Sequence, residues 1–540
     1  MEQPAIDGFG SRRSTVYGPN GVVATSQPLA SQAGIETLRS GGNAFDAAVA
    51  TAAVLNVTEP TSTGLGGDVF MLYRSADGEV GAMRACGGAP QKATRERVRT
   101  ALAEARRSDP ESVTMPETGA HTVTVPGTAR GWEATVERFG RLSLSDVLEP
   151  AIGYAMGGYP VTEVIADMWT QGETLFADGH ARNTYLVDGE RAPNPGETVR
   201  LETLGESLQA IAEEGADVVY EGYIAEAIVE EVRNQGGFLT VDDLANFEVE
   251  YPEPVSVEYG DATVYELPPN NQGLIALEAL AIAEELDVRA HEPNSVARTH
   301  YLVEAMKRAF HDGHRYITDP EFEEIPPLAS RGWAKKRAAT IDETAGDVSF
   351  GVPNSNAEDA DTVLLCVGDS EGNVVSYINS RFSGFGSGLV AGETGIALQN
   401  RGSSFSLDPE HPNRLEPGKR PFHTLIPGVL ERGRDDWSAF GVMGGYMQPQ
   451  GHLQTLVRLL DDGATLQQAL DAPRWRYRES GRLAVEARMP TSIQNGLLRR
   501  GHDLTVLSPG EFGGAQIIRN EGGTLSGATE PRKDGTVTTY

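Results

Sequence analysis

The sequence predicts a layered α+β fold, and three observations carry that prediction. Apolar residues recur at helical spacing through most of the region from about Pro126 to Thr340. From Thr362 onward, short strand-like runs separated by glycine-rich turns take over. Helices and strands come in runs rather than in strict alternation, which argues for a mixed arrangement over a doubly wound parallel sheet. At 540 residues the chain can bury a large core, and its 39% hydrophobic content is that of a globular protein.

Taken in order, "GVVATSQPLASQAGIETLRSGG" reads as a strand, a serine turn and a helix. Ala33, Ile35 and Leu38 fall at helical spacing, and Gly41 and Gly42 close the helix. The next helix, "AFDAAVATAAVLNV", is apolar nearly all round and should therefore be buried. A glycine turn in "TSTGLGGDVFMLYRS" then leads into an apolar strand. "EPNSVARTHYLVEAMKRAFHDGHRYI" predicts a long helix with Asn294 or Ser295 as its N-cap. His311 and His314 lie on it without the carboxylate of an HExxH site, so they read as solvated helical histidines. "TVLLCV" and "NVVSYI", joined by "GDSEG", predict a strand pair with Thr362 on its boundary. "GFGSGLVAGETG" lacks the Lys-Ser/Thr ending and the strand–helix frame of a phosphate loop. Beyond "GVMGGYMQPQG", the chain predicts a helix, a glycine stop and a second short helix.

Composition narrows the function. Asp and Glu number 77 against 45 Lys and Arg, for a formal charge of −32. Lysine is confined to Lys92, Lys307, Lys335, Lys336, Lys419 and Lys533. An acidic, lysine-poor surface suits a halophilic protein kept soluble in concentrated salt, where screening blunts self-repulsion. With no basic patch, nucleic-acid binding is excluded as an expectation. No apolar run reaches the roughly 18–20 residues of a membrane span. Arg12 and Arg13 are not followed by the apolar segment of a secretion signal, so the expected location is the cytoplasm. Cys86 and Cys366 have no metal-type spacing and form no disulfide framework; they read as two buried thiols. No motif calls for a metal or a cofactor.

Several stretches together resemble one family. They are "GVVATSQPLASQAGIETLRSGGNAFDAAVA", "VTVPGTARGWEATVERFGRLSLSDVLEPAIGYA", "EAMKRAFHDGHRYITDPEF", "DTVLLCVGDSEGNVVSYINS", "GFGSGLVAGETGIALQNRG" and "PGKRPFHTLIPG". In order, from about Gly21 to Arg532, they are similar to the gamma-glutamyltransferases. The resemblance implies an N-terminal nucleophile hydrolase with a four-layer αββα fold. It also implies an inactive precursor that cuts itself before a threonine, here between Asp361 and Thr362. The fragments would be residues 1–361 and 362–540, remaining associated. Chemistry gives the reason for such a cut. A threonine hydroxyl needs an adjacent base, and the nitrogen of a mid-chain Thr362 is an amide. Attack on the Asp361 carbonyl and hydrolysis of the ester free an α-amine of pKa about 7.7–8, suited to that role. Alone, Thr362 would read simply as a β-branched residue opening a strand. The resemblance further implies an oxyanion site at Gly444 and Gly445, and a hydroxyl near the nucleophile at Ser380.

The pocket departs from the family pattern. Where the family has the arginine of "R-E-x-A-P" this chain has Cys86, with Arg84 two places early. "QNRGSSF" puts Arg401 in place of a glutamine and Ser404 in place of an aspartate, and "KRPFHT" puts His423 and Thr424 where a serine pair belongs. An arginine beside the expected ammonium site suits a second carboxylate instead. The linker from Ser406 to Pro417 is short for a lid, which favours hydrolysis over transfer. Three readings follow: hydrolysis of γ-glutamyl amides such as glutathione; an acylase for glutaryl or other dicarboxylic amides; or an uncleaved, non-catalytic binding protein, because Val363 stands where the family often has a second hydroxyl residue.

Overall fold

Strand runs rich in Val, Leu, Ile and Phe pair into two large sheets, antiparallel throughout. The computed structural model describes residues 13–351 and 362–540. In chain order the strands of these two sheets are β1 (Val16–Gly18), β2 (Gly21–Thr25), β3 (Asp68–Arg74), β4 (Val80–Ala85), β5 (Val255–Tyr259) and β6 (Ala262–Glu266). Next come β7 (Val363–Asp369), β8 (Val374–Ser380), β9 (Gly428–Glu431) and β10 (Asp436–Met443). The last are β11 (Gly514–Glu521), β12 (Thr524–Thr529) and β13 (Thr536–Thr539). One sheet has the order β13-β2-β7-β8-β3-β4 and the other β1-β12-β11-β10-β9-β6-β5.

Alternation along the strands explains the layers. In β7, Leu364 and Cys366 join Val22, Phe70, Ala439 and Ile518 in a core between the two sheets. Val363, Leu365 and Val367 point the other way, onto helices α1 (Pro28–Arg39) and α2 (Ala44–Thr58), with α3 (Thr128–Phe139) and α4 (Leu144–Gly157) beside them. Behind the second sheet, Val264, Phe440 and Ile517 pack on α5 (Gly273–Glu285), α6 (Val296–Tyr316) and α7 (Met447–Leu460). The result is helix, sheet, sheet, helix, the expected αββα arrangement.

The sequence-based elements hold in detail. All of α2 is buried, and a capping box of Asn43 and Asp46 starts it. Ser295, not Asn294, caps α6 by accepting from the Arg298 amide at 3.2 Å. The predicted strand pair is β7–β8, and both cysteines are buried free thiols. The largely helical middle also contains the β5–β6 hairpin, an edge of the second sheet. One reading needs correction. His314 is buried rather than solvated: it stacks among Phe310, Phe350 and Tyr446, and its Nδ1 bonds the Phe350 carbonyl at 2.7 Å. Helical spacing places it on the apolar face, which composition alone did not convey. Arg12 and Asp361 lie outside the described residues, and with them half of the expected cleavage site.

Candidate active site

Three strand ends converge at one end of the sandwich. β7 begins at Val363, which pairs with Asn379, so continuing the register sets Thr362 across from Ser380. On its other side Ser380 pairs with Asp68, the first residue of β3. Thr362 is buried, and its Oγ1 has no hydrogen-bond partner among the described residues. The Ser380 hydroxyl accepts from the Phe382 amide at 2.8 Å.

The glycine turn ends the strand that crosses β7 at Leu364. β10 finishes at Met443; Gly444 and Gly445 then take φ of +109° and +53°, and α7 follows. Only glycine enters such a turn freely. The turn is closed by bonds from the Met447 amide to the Gly444 carbonyl, 2.8 Å, and from the Gln448 amide to the Gly445 carbonyl, 3.2 Å. β10 approaches β7 closely because Gly441 has no side chain. A Cβ there would sit 2.8 Å from a methyl of Leu364, two residues from Thr362.

Beside these groups lies a buried polar cluster. Arg401 opens a short 3₁₀ turn, Arg401–Ser404, and is fully buried. Its Nη1 donates to the Thr424 hydroxyl at 2.9 Å, and its guanidinium stacks 4.4 Å from the Phe382 ring centroid. Among the described residues its Nε and Nη2 have no hydrogen-bond partner, nor do the buried hydroxyls of Ser403 and Ser404. Burial lowers the Arg401 pKa to about 10, so it stays charged near neutrality.

The acid that most stabilises the Arg401 charge is Asp68. Burial pushes its carboxyl up to about 7, against the opposing pull of Arg401, Gln399 and the Gly127 amide. Both its oxygens are occupied: Oδ1 accepts from Gly127 and Gln399 at 3.2 and 3.1 Å, and Oδ2 accepts from His423 at 3.1 Å. His423 Nδ1 accepts from the Leu425 amide at 3.2 Å, which leaves the ring proton on Nε2. Burial, with Arg401 and Arg84 nearby, holds this imidazole neutral.

The predicted residues therefore divide. Arg401, Thr424 and His423 share one cluster through Asp68, and Ser404 belongs to the same turn as Arg401. Arg84 does not join these hydrogen bonds. Its Nη1 meets Glu250 at 3.2 Å, and its Nη2 donates to the Pro268 and Pro269 carbonyls at 2.9 and 2.6 Å. Asp68 was missed. Its signal was available, as a lone acid heading an otherwise apolar strand. The linker after Ser406 folds back tightly, with Asn413 donating to the Ser404 carbonyl at 2.6 Å. Elsewhere His300, Glu304 and His502 lie close enough to share a metal ion, but Lys307 at 2.8 Å and Arg308 already neutralise Glu304. That leaves little attraction for a cation.

The family described as Gamma-glutamyltranspeptidase matches residues 30–540. The glutathione hydrolase-like YwrD proenzyme of Bacillus subtilis (strain 168) is 38% identical, with 96% of this chain and 98% of that protein covered. The oxamate amidohydrolase proenzyme of Klebsiella pneumoniae is 35% identical, with 96% and 98% covered. Among solved structures, the cephalosporin acylase from Bacillus halodurans superposes with a TM-score of 0.89 at 42% identity, covering 100% of this chain and 99% of that one. The chain thus belongs to the gamma-glutamyltranspeptidase family, enzymes of the N-terminal nucleophile hydrolase fold that are made as proenzymes.

Proposed function

We propose that this protein is a self-cleaving threonine amidohydrolase for acyl groups that end in a carboxylate and carry no α-ammonium. Cleavage between Asp361 and Thr362 would leave fragments 1–361 and 362–540. The freed amine of Thr362 takes the proton of its own hydroxyl as Oγ1 attacks the amide carbon. The amides of Gly444 and Gly445 receive the oxyanion, and Ser380 steadies the new terminus. The leaving amine departs with a proton, and water hydrolyses the ester. The short linker at Ser406–Pro417 folds back on itself, Asn413 donating to the Ser404 carbonyl, and leaves little chain to form a lid, which favours hydrolysis over transfer.

One observation carries the substrate assignment. Arg401 is a buried cation with two guanidinium nitrogens that have no partner among the described residues, in the same turn as two serine hydroxyls that also have none there. Buried donors without partners are costly, and a carboxylate fits the guanidinium fork. The names of relatives, an oxamate amidohydrolase and a cephalosporin acylase, agree with an acid-bearing amide. A γ-glutamyl substrate such as glutathione is the second reading, with Asp68 as the group to hold its ammonium. It ranks second because three neutral donors already occupy both Asp68 oxygens. A surface of this acidity also suits concentrated salt.

Turnover of glutaryl and γ-glutamyl anilides tests the proposal. The glutaryl substrate should have the higher kcat/KM by about tenfold or more. Arg401→Met should remove about 10- to 150-fold of it, the worth of a charge-assisted bond of roughly 1.5–3 kcal/mol. Preference for the γ-glutamyl anilide, unaffected by Arg401→Met, would overturn the assignment.

A further inference from the structure

The segment Asn270–Asn271–Gln272 is a row of three side-chain amides, all fully buried. It runs beside the strip that carries His423 and Thr424. Main-chain bonds join the two, from the His423 amide to the Asn270 carbonyl and from the Gln272 amide to the His423 carbonyl, both 2.9 Å. The side chains then act as a comb. Asn270 Nδ2 donates to the Pro421 carbonyl and Asn271 Nδ2 to the Leu425 carbonyl, each at 2.6 Å.

Gln272 differs from its neighbours. Its Nε2 donates to the Thr424 carbonyl at 2.6 Å and also to the Gly445 carbonyl at 3.0 Å. Thr424 is the residue whose hydroxyl holds Arg401, and Gly445 is half of the glycine turn. One carboxamide thus spans two separate parts of the site, both contributed by residues beyond 362. Gly445 has no side chain to fix its peptide plane, so the bonds to its carbonyl set the direction of the turn. The same turn carries the Gly444 and Gly445 amides proposed to receive the oxyanion, and an error of about 1 Å in their position is expensive to catalysis.

We propose that Gln272 is a positioning residue. It ties the oxyanion turn at Gly444–Gly445 to the carboxylate anchor of Arg401 and Thr424, and so fixes the distance between the reacting carbonyl and the far acid of the substrate. The inference rests on the function proposed above for those two parts. It predicts that enzyme and substrate are matched in acyl length through this residue.

The test uses Gln272→Glu and Gln272→Met, which preserve length but cannot make both donations. Each is matured and active-site titrated, then assayed with succinyl, glutaryl, adipyl and butyryl anilides. The parent should show a sharp optimum in acid chain length. In the variants kcat should fall about 10-fold or more on every substrate, including neutral butyryl. KM should rise only for the diacid substrates, and the length optimum should flatten. Melting temperature is read in parallel. Kinetic constants within twofold of the parent in the cleaved variants would overturn the proposal. So would a loss that vanishes once activity is corrected for titrated sites, since that marks a folding role alone. A parent without preference for diacids would instead contradict the substrate assignment, and the butyryl kcat would still judge Gln272.

Discussion

Asp68 is the residue on which the electrostatics of the cluster turn. Its carboxyl is raised to about 7 by burial, so it is neutral in mild acid and charged in mild alkali. When charged it competes with a substrate carboxylate for Arg401. KM for a glutaryl anilide should therefore rise as pH increases through about 7, and Asp68→Asn should flatten that rise. The butyryl anilide, which makes no demand on Arg401, should show no such dependence; a parallel rise for both would count against the assignment. The stability sign follows from the same shift. A carboxyl whose folded pKa lies above its ordinary value contributes stability that is full below about 3.8 and lost as pH rises through about 7. Asp68→Asn should thus be less pH-sensitive in melting temperature over that window.

Among the elements, the crossing of β7 and β10 sets how near the glycine turn comes to Thr362. Gly441→Ala places a methyl 2.8 Å from Leu364, between two packed sheets. Overpacking of this kind costs about 1–3 kcal/mol. The expected outcome is a lower melting temperature together with slower cleavage and a lower kcat; an unchanged melting temperature and kcat would mean the sheets can part without harm. Much at this scale was legible in advance. The buried helix at Ala44–Thr58, the strand pair opening at Val363 and the serine cap of the helix at Val296 all rest on local patterns of polarity and turn chemistry. What was not legible depends on distant partners. Asp68 meets His423 across 355 residues, and Gln272 meets Gly445 across 173. No period or spacing links such positions. Arg401 was recognisable as out of place, but its unpaired donors needed the fold.

For the whole molecule, the interleaving of strands gives the precursor its logic. β7 and β8 lie between β2 and β3, so the halves on either side of residue 361 share one sheet. Cleavage at that boundary would leave them locked by strand ladders and by the three large cores, each built from both fragments. The acidic residues behind the charge of −32 are spread along the chain. Screening lengths of about 10 Å at 0.1 M salt and 3 Å at 1 M predict a melting temperature that climbs with potassium chloride over this range; a flat or falling profile would contradict the halophilic reading. The most direct test of the account is the intact mass of the protein after purification in high salt, beside a Thr362→Ala variant. Two fragments meeting between Asp361 and Thr362, with the variant a single uncut chain, is the predicted result. A parent chain that stays whole on prolonged incubation, or one cut equally in the variant, would contradict the central claim that Thr362 is the nucleophile.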